Sequence, residues 1–65
     1  MNYTFQLEEE TIEINTRLDK CVSELVEEIS RTAAQNLIQE QQITVNGNIE
    51  KVSYRVKGDE TIEIH

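Results

Sequence analysis

Residues 17–47 read RLDKCVSELVEEISRTAAQNLIQEQQITVNG, and this stretch decides the fold. Leu18, Cys21, Val22, Leu25 and Ile29 recur at helical spacing and give a first helix, running to about Ile29, one apolar face. Ser30 follows at once, and its hydroxyl suits the N-cap of a second helix because it accepts a free backbone N–H. On that helix Ala34, Leu37 and Ile38 mark the buried side, leaving Arg31, Gln35, Asn36 and Gln39 facing water. Ile43-Thr44-Val45 then switches to period two, and Asn46-Gly47 is a strong signal for a tight hairpin turn. Two helices joined at a short polar junction, then a strand and a turn, make one surface that the other segments support.

Outward from this stretch the chain alternates. Tyr3–Leu7 places apolar and polar residues in turn and reads as a half-buried strand. Glu8-Glu9-Glu10 is a solvated turn. Thr11–Ile14 alternates again, as a second short strand or an extended lead into the first helix, with Asn15 or Thr16 as its cap. Beyond Gly47, Ile49 reopens an extended segment in which Val52, Tyr54 and Val56 alternate with Ser53 and Arg55. Lys57–Glu60 is a turn, and Thr61–Ile64 a last strand. Glu-Thr-Ile-Glu-Ile occurs at 10–14 and again at 60–64. It is too short for a repeat architecture and reads as two similar sheet strands. Glu24, Glu27 and Glu28 sit late in the first helix, where the macrodipole opposes negative charge.

With 65 residues the chain is read as a single domain, near the lower end of what folds without staples. Its one cysteine allows no internal disulfide, so the core must suffice. Phe5, Leu7, Ile12, Ile14, Leu18, Val22, Leu25, Ile29, Leu37, Ile38, Ile43, Val45, Ile49, Val52, Val56, Ile62 and Ile64 supply it. Cys21, on the apolar face of the first helix, is a buried structural thiol. No run approaches 18 apolar residues and no signal-peptide pattern opens the chain, so a soluble, cytoplasmic protein is expected, without a membrane partner.

The net charge is −7. The first 16 residues hold four glutamates and no cation, whereas all six Lys and Arg lie in residues 17–65 with the helix pair. The chain as a whole lacks the basic character of a nucleic-acid binder, but its cations are confined to one part of it.

No catalytic constellation converges. One terminal His and one core Cys give no nucleophile pairing and no zinc set, and Gly47 and Gly58 are isolated turn glycines rather than a phosphate loop. No cofactor and no metal are expected, and the chain by itself is not an enzyme. What remains is a surface. Ser30-Arg31-Thr32 places two hydroxyls and a guanidinium at a helix N-terminus, where free N–H groups and the dipole suit a phosphate. Arg31 can add a bidentate contact, and Gln35 and Asn36 follow one turn on. Taken alone, the motif is also an ordinary N-cap beside a solvated Arg.

In order, Arg17-Leu18-Asp19-Lys20, Ser30-Arg31-Thr32, Leu37-Ile38, Ile43-Thr44-Val45-Asn46-Gly47 and Val56-Lys57-Gly58-Asp59 resemble the S-four RNA-binding domain, named after a small-subunit ribosomal protein. With the preceding Tyr-Thr-Phe strand, the chain most resembles the N-terminal domain of bacterial large-subunit ribosomal RNA pseudouridine synthases. The resemblance covers residues 17–64, with 1–16 as an N-terminal strand region. It implies an α+β fold, two helices packed on a small, mainly antiparallel sheet. It also implies RNA lying across the second helix, its N-terminal junction and the strand-turn. Carried over by position, the RNA contacts fall at Arg17, Arg31, Thr32, Gln35, Lys51 and Arg55. Where the family tends to place Arg or Lys, this chain has Ala33, Gln35, Gln42 and Asn48, which thins the electrostatic term that dominates RNA affinity. Asp19 belongs to the binding-domain motif and not to the synthase's catalytic His-Arg-Leu-Asp motif, so it caps or pairs locally.

The resemblance thus implies an RNA-binding module of a longer pseudouridine synthase, an isomerase of rRNA modification. Structured RNA, in particular rRNA, and a covalently linked catalytic domain are its expected partners, and the chain is expected to be a monomer. A protein-interaction module that kept the fold and lost the RNA face is the competing reading, and the acidic charge favours it. A small sulfur-carrier protein needs a C-terminal Gly-Gly, and the sequence ends Ile-Glu-Ile-His. His65 is either native or the remnant of a tag.

Overall fold

The computed structural model describes residues 2–65. The elements run β1 (Tyr3–Gln6), α1 (Leu18–Leu25), α2 (Arg31–Gln39), β2 (Ile43–Val45), β3 (Asn48–Ile49) and β4 (Thr61–Ile64). The four strands form one antiparallel sheet in the order β1-β4-β2-β3, and the two helices pack on it and on each other. This is the α+β arrangement the resemblance implies.

Period two explains the sheet. Ile43 and Val45 of β2 stand opposite Ile64 and Ile62 of β4, and all four are buried on the helix side. Tyr3 and Phe5 of β1 pair with the same two isoleucines and stack on each other, ring centroids 5.9 Å apart, at the margin of the core. Leu7 continues the pairing past β1, its N–H donating to the Glu60 carbonyl at 2.8 Å. From the helices, Leu18, Cys21, Val22, Ala34 and Ile38 close the core. Asn46 and Gly47, with φ of 52° and 81°, form the two-residue turn between β2 and β3, a backbone that twists with the strands.

Several expectations are corrected. The first helix stops at Leu25, and Val26 is already extended. Glu27 and Glu28 therefore lie past the end of the helix, whereas Glu24 stays in its last turn, where the dipole opposes its charge. Val26 and Ile29 still reach the core through a turn in which the Ile29 N–H donates to the Val26 carbonyl at 3.0 Å. Neither Asn15 nor Thr16 caps α1. Arg17 holds that position without a side-chain cap bond, Thr16 Oγ1 donates to the Glu13 carbonyl instead, and Asn15 sits at φ 70°.

Thr11–Ile14 is neither a strand nor an extended lead but part of a run of turns, begun by the N–H groups of Thr11 and Ile12 donating to the Glu8 carbonyl. The repeated pentapeptide thus has two fates. Residues 60–64 lead into and form β4, a strand with partners on both edges, whereas residues 10–14 pair with no strand among the described residues. Ile14 and Ile49, expected in the core, are 52% and 48% exposed. The segment after β3 is interrupted by a turn at Val52 and Ser53, with the Tyr54 N–H donating to the Lys51 carbonyl. Its alternation survives in burial, Val56 inward and Arg55 outward.

Candidate functional site

Arg17 is the N-cap of α1, Arg31 begins α2, and Arg55 lies in the segment between β3 and β4. An antiparallel bridge brings Arg55 directly opposite Arg17. It is bracketed by the Leu18 N–H donating to the Tyr54 carbonyl at 2.7 Å and the Val56 N–H donating to the Thr16 carbonyl at 3.0 Å. Residues 17 and 55 exchange no hydrogen bond with each other, which is the closer of the two antiparallel pairings. Like charges directly opposite in such a pair are destabilising, so the fold tolerates a local cost here.

These three arginines and Lys20 border an open cleft of ≈ 310 Å³, lined also by residues 13–16 with the exposed Ile14. Four of the six cationic side chains of a chain with net charge −7 thus surround one depression. Lys20 was missed by the residue-by-residue reading. The signal was present, because Lys20 follows Arg17 by three residues and shares its helix face.

Beneath the cleft lies Asp19, with no exposure to solvent. Its Oδ2 accepts from Arg31 Nε at 3.1 Å and from Gln35 Nε2 at 2.8 Å. Its Oδ1 accepts from the Lys20 N–H at 2.9 Å, and Arg17 Nε stands 3.3 Å away without completing a hydrogen bond. Burial works to raise the carboxyl's pKa, but the bonds from Gln35, Arg31 and Lys20 and the charge of Arg31 hold it below the usual carboxylate range. Asp19 therefore pairs locally, as expected, and also across to α2. Arg31 and Gln35 do not simply face water. Arg31 is half-exposed and tied to Asp19, and Gln35 is partly buried against the same oxygen.

Ser30 caps α2 as read, its Oγ accepting the Ala33 N–H at 3.1 Å. The N–H groups of Arg31 and Thr32 have no acceptor among the described residues. Thr32 is exposed on this first turn, and Lys51 is exposed in the turn after β3, but neither borders the cleft. The structure thus brings Arg17, Arg31 and Arg55 together, with Gln35 joined to them through Asp19, and leaves Thr32 and Lys51 outside.

Among the described residues, the groups whose pKa moves all move away from neutrality. Burial, then Glu24 and Glu60, push the Cys21 thiol up to about 12. The Glu60 hydrogen bond, then burial, raise Tyr54 to about 12. Glu60 is driven up by burial but held low overall by its bonds from Tyr54 and the backbone of residues 57 and 58. None is poised for proton transfer at neutral pH. What the cleft offers is positive charge from four side chains, a chemistry suited to phosphate. No helix is long and apolar enough to cross a membrane among the described residues.

A sequence-family model described as the S4 domain matches residues 16–62, well over half of the chain. No curated protein matches the chain at a significant level.

Proposed function

Since the chain belongs to the S4 domain family, a family known for RNA binding, we propose that the cleft between the two helix starts is its docking point for structured RNA. The observation that carries this reading is the gathering of Arg17, Lys20, Arg31 and Arg55 around one depression in an otherwise acidic molecule. Arg17, Arg31 and Arg55 contact phosphate, Thr32 and the open N–H groups of α2 extend the contact, Gln35 acts through Asp19, and Lys51 marks an outer contact. The resemblance to pseudouridine synthase N-terminal domains extends the proposal. The RNA is ribosomal, the module is monomeric and cytoplasmic, and it positions RNA for a linked catalytic domain that performs the isomerisation. A reading frame that continues beyond His65 into that domain supports the extension, and one that continues into an unrelated domain removes it.

Titration of a labelled ribosomal RNA stem-loop at two salt concentrations tests the docking. Weak binding that falls steeply with salt is expected. Absence of binding at low salt favours the second reading, a protein-interaction module, which the net charge of −7 supports.

A further inference from the structure

We propose that Asp19 is the positioning residue of the cleft, holding Arg31 by an Nε hydrogen bond and drawing the Nε edge of Arg17 alongside by charge alone, so that both present their terminal amino groups to an RNA phosphate. The inference rests on the RNA reading above and goes beyond it, because Asp19 is fully buried and cannot itself touch RNA.

The geometry assigns the role. One carboxylate oxygen holds donors from α2, Arg31 Nε at 3.1 Å and Gln35 Nε2 at 2.8 Å. The other faces the start of α1, taking the Lys20 N–H at 2.9 Å with Arg17 Nε at 3.3 Å. Both arginines meet the carboxylate through Nε, and among the described residues neither places its Nη groups on a protein acceptor. Both also border the cleft. A guanidinium held this way binds phosphate without first giving up its rotamer freedom, and keeps a donor pair for bidentate contact. Arg55 is the internal control, since it bonds the Asn15 carbonyl through Nη1 and does not meet Asp19.

The idea makes a prediction opposite in sign to simple electrostatics. Asp19→Asn removes a negative charge beside the cleft, and on charge alone RNA should bind more tightly. Positioning requires the reverse, an affinity for the labelled stem-loop weaker by about threefold to tenfold, in a chain whose circular dichroism shows it folded. Arg31→Lys keeps the charge but loses the Nε edge. It should weaken binding in the natural background and have no further effect in the Asp19→Asn background, whereas Arg55→Lys should act additively with Asp19→Asn. Equal or tighter binding by Asp19→Asn, or additivity with Arg31→Lys, overturns the proposal.

Should Asp19→Asn fail to fold, two measurements decide. In the natural chain without RNA, the Nε–H proton of Arg31 should exchange with solvent more slowly than that of Arg55, and equal rates overturn the clamp. Arg31→Lys should weaken binding by itself, and an unchanged affinity overturns the clamp's role. If the natural chain binds no RNA at low salt, the RNA reading falls and the role with it. If it binds and the variants behave like it, the role of Asp19 falls alone.

Discussion

Asp19 and Glu60 are the two acidic side chains the fold removes from water, and each is answered by a different set of donors. Glu60 takes the Tyr54 O–H at 2.6 Å and the N–H groups of Lys57, Gly58 and Asp59 at 2.8–3.2 Å. Its carboxylate thereby organises the turn before β4. Both pKa values lie below the ordinary carboxylate range in the folded chain. A depressed folded pKa contributes stability above the unfolded value, near pH 4, and loses it as pH falls through the folded value. The urea midpoint should therefore be nearly flat from pH 7 to about pH 5 and fall below about pH 4. Glu60→Gln should flatten part of that fall and cost about 2–3 kcal/mol at pH 7, because its amide turns donors toward donors. An equally acid-sensitive Glu60→Gln chain would exclude Glu60 as a source. Cys21, fully buried and with its thiol pKa raised, should resist alkylation while the chain is folded. Cys21→Ser should lower stability by about 1–3 kcal/mol through burial of a hydroxyl. The sequence exposed Cys21 by helical spacing alone. The burial of Glu60 was not legible, because three of its donors are backbone groups that converge only once the turn has formed.

Local signals that state their own geometry were legible at the level of elements. Ser30 before an apolar-periodic run is a cap, and Asn46-Gly47 between alternating residues is a hairpin. Identical letters were not enough elsewhere, since residues 10–14 and 60–64 differ only in what the tertiary fold places beside them. The end of α2 shows a further device. The Gln42 N–H donates to the Leu37 carbonyl at 2.9 Å and the Gln41 N–H to the Ile38 carbonyl at 3.1 Å, a Schellman closure with Gln41 at φ 62° where glycine is usual. Gln41→Gly should therefore raise stability by about 0.5–1 kcal/mol, the relief of left-handed strain exceeding the added chain entropy. Ser30→Ala, at the other end of the same helix, should lower stability by about 1 kcal/mol. Denaturant melts of the two variants should move in opposite directions. A destabilised Gln41→Gly would mean that the Gln41 side chain supports the closure.

Across the whole molecule, net charge and charge placement point in different directions, and placement governs where an anion can dock. The order of motifs along the chain was enough to reveal the fold, but the cleft was legible only in part. Arg17 and Arg55 are far apart in sequence and meet through a two-residue bridge that no periodicity announces. If the cleft is the RNA site, about three phosphates are engaged and the log–log salt slope of binding should be roughly −2 to −3. Arg17→Ala, Arg31→Ala, Arg55→Ala and Lys57→Ala each remove one positive charge, so all four change the overall charge equally. Only the first three remove a side chain that borders the cleft. Each of those should make the slope shallower by roughly 0.7–0.9, the release of one phosphate contact. Lys57→Ala should shift affinity slightly at low salt and leave the slope in place. Arg31→Ala should also reduce stability by about 1–3 kcal/mol, because it deprives the buried Asp19 of a donor. Its slope must therefore be measured where the chain is fully folded. Equal slopes for all four variants would mean that RNA responds to the diffuse field of the molecule, and the cleft would lose its claim as the docking point.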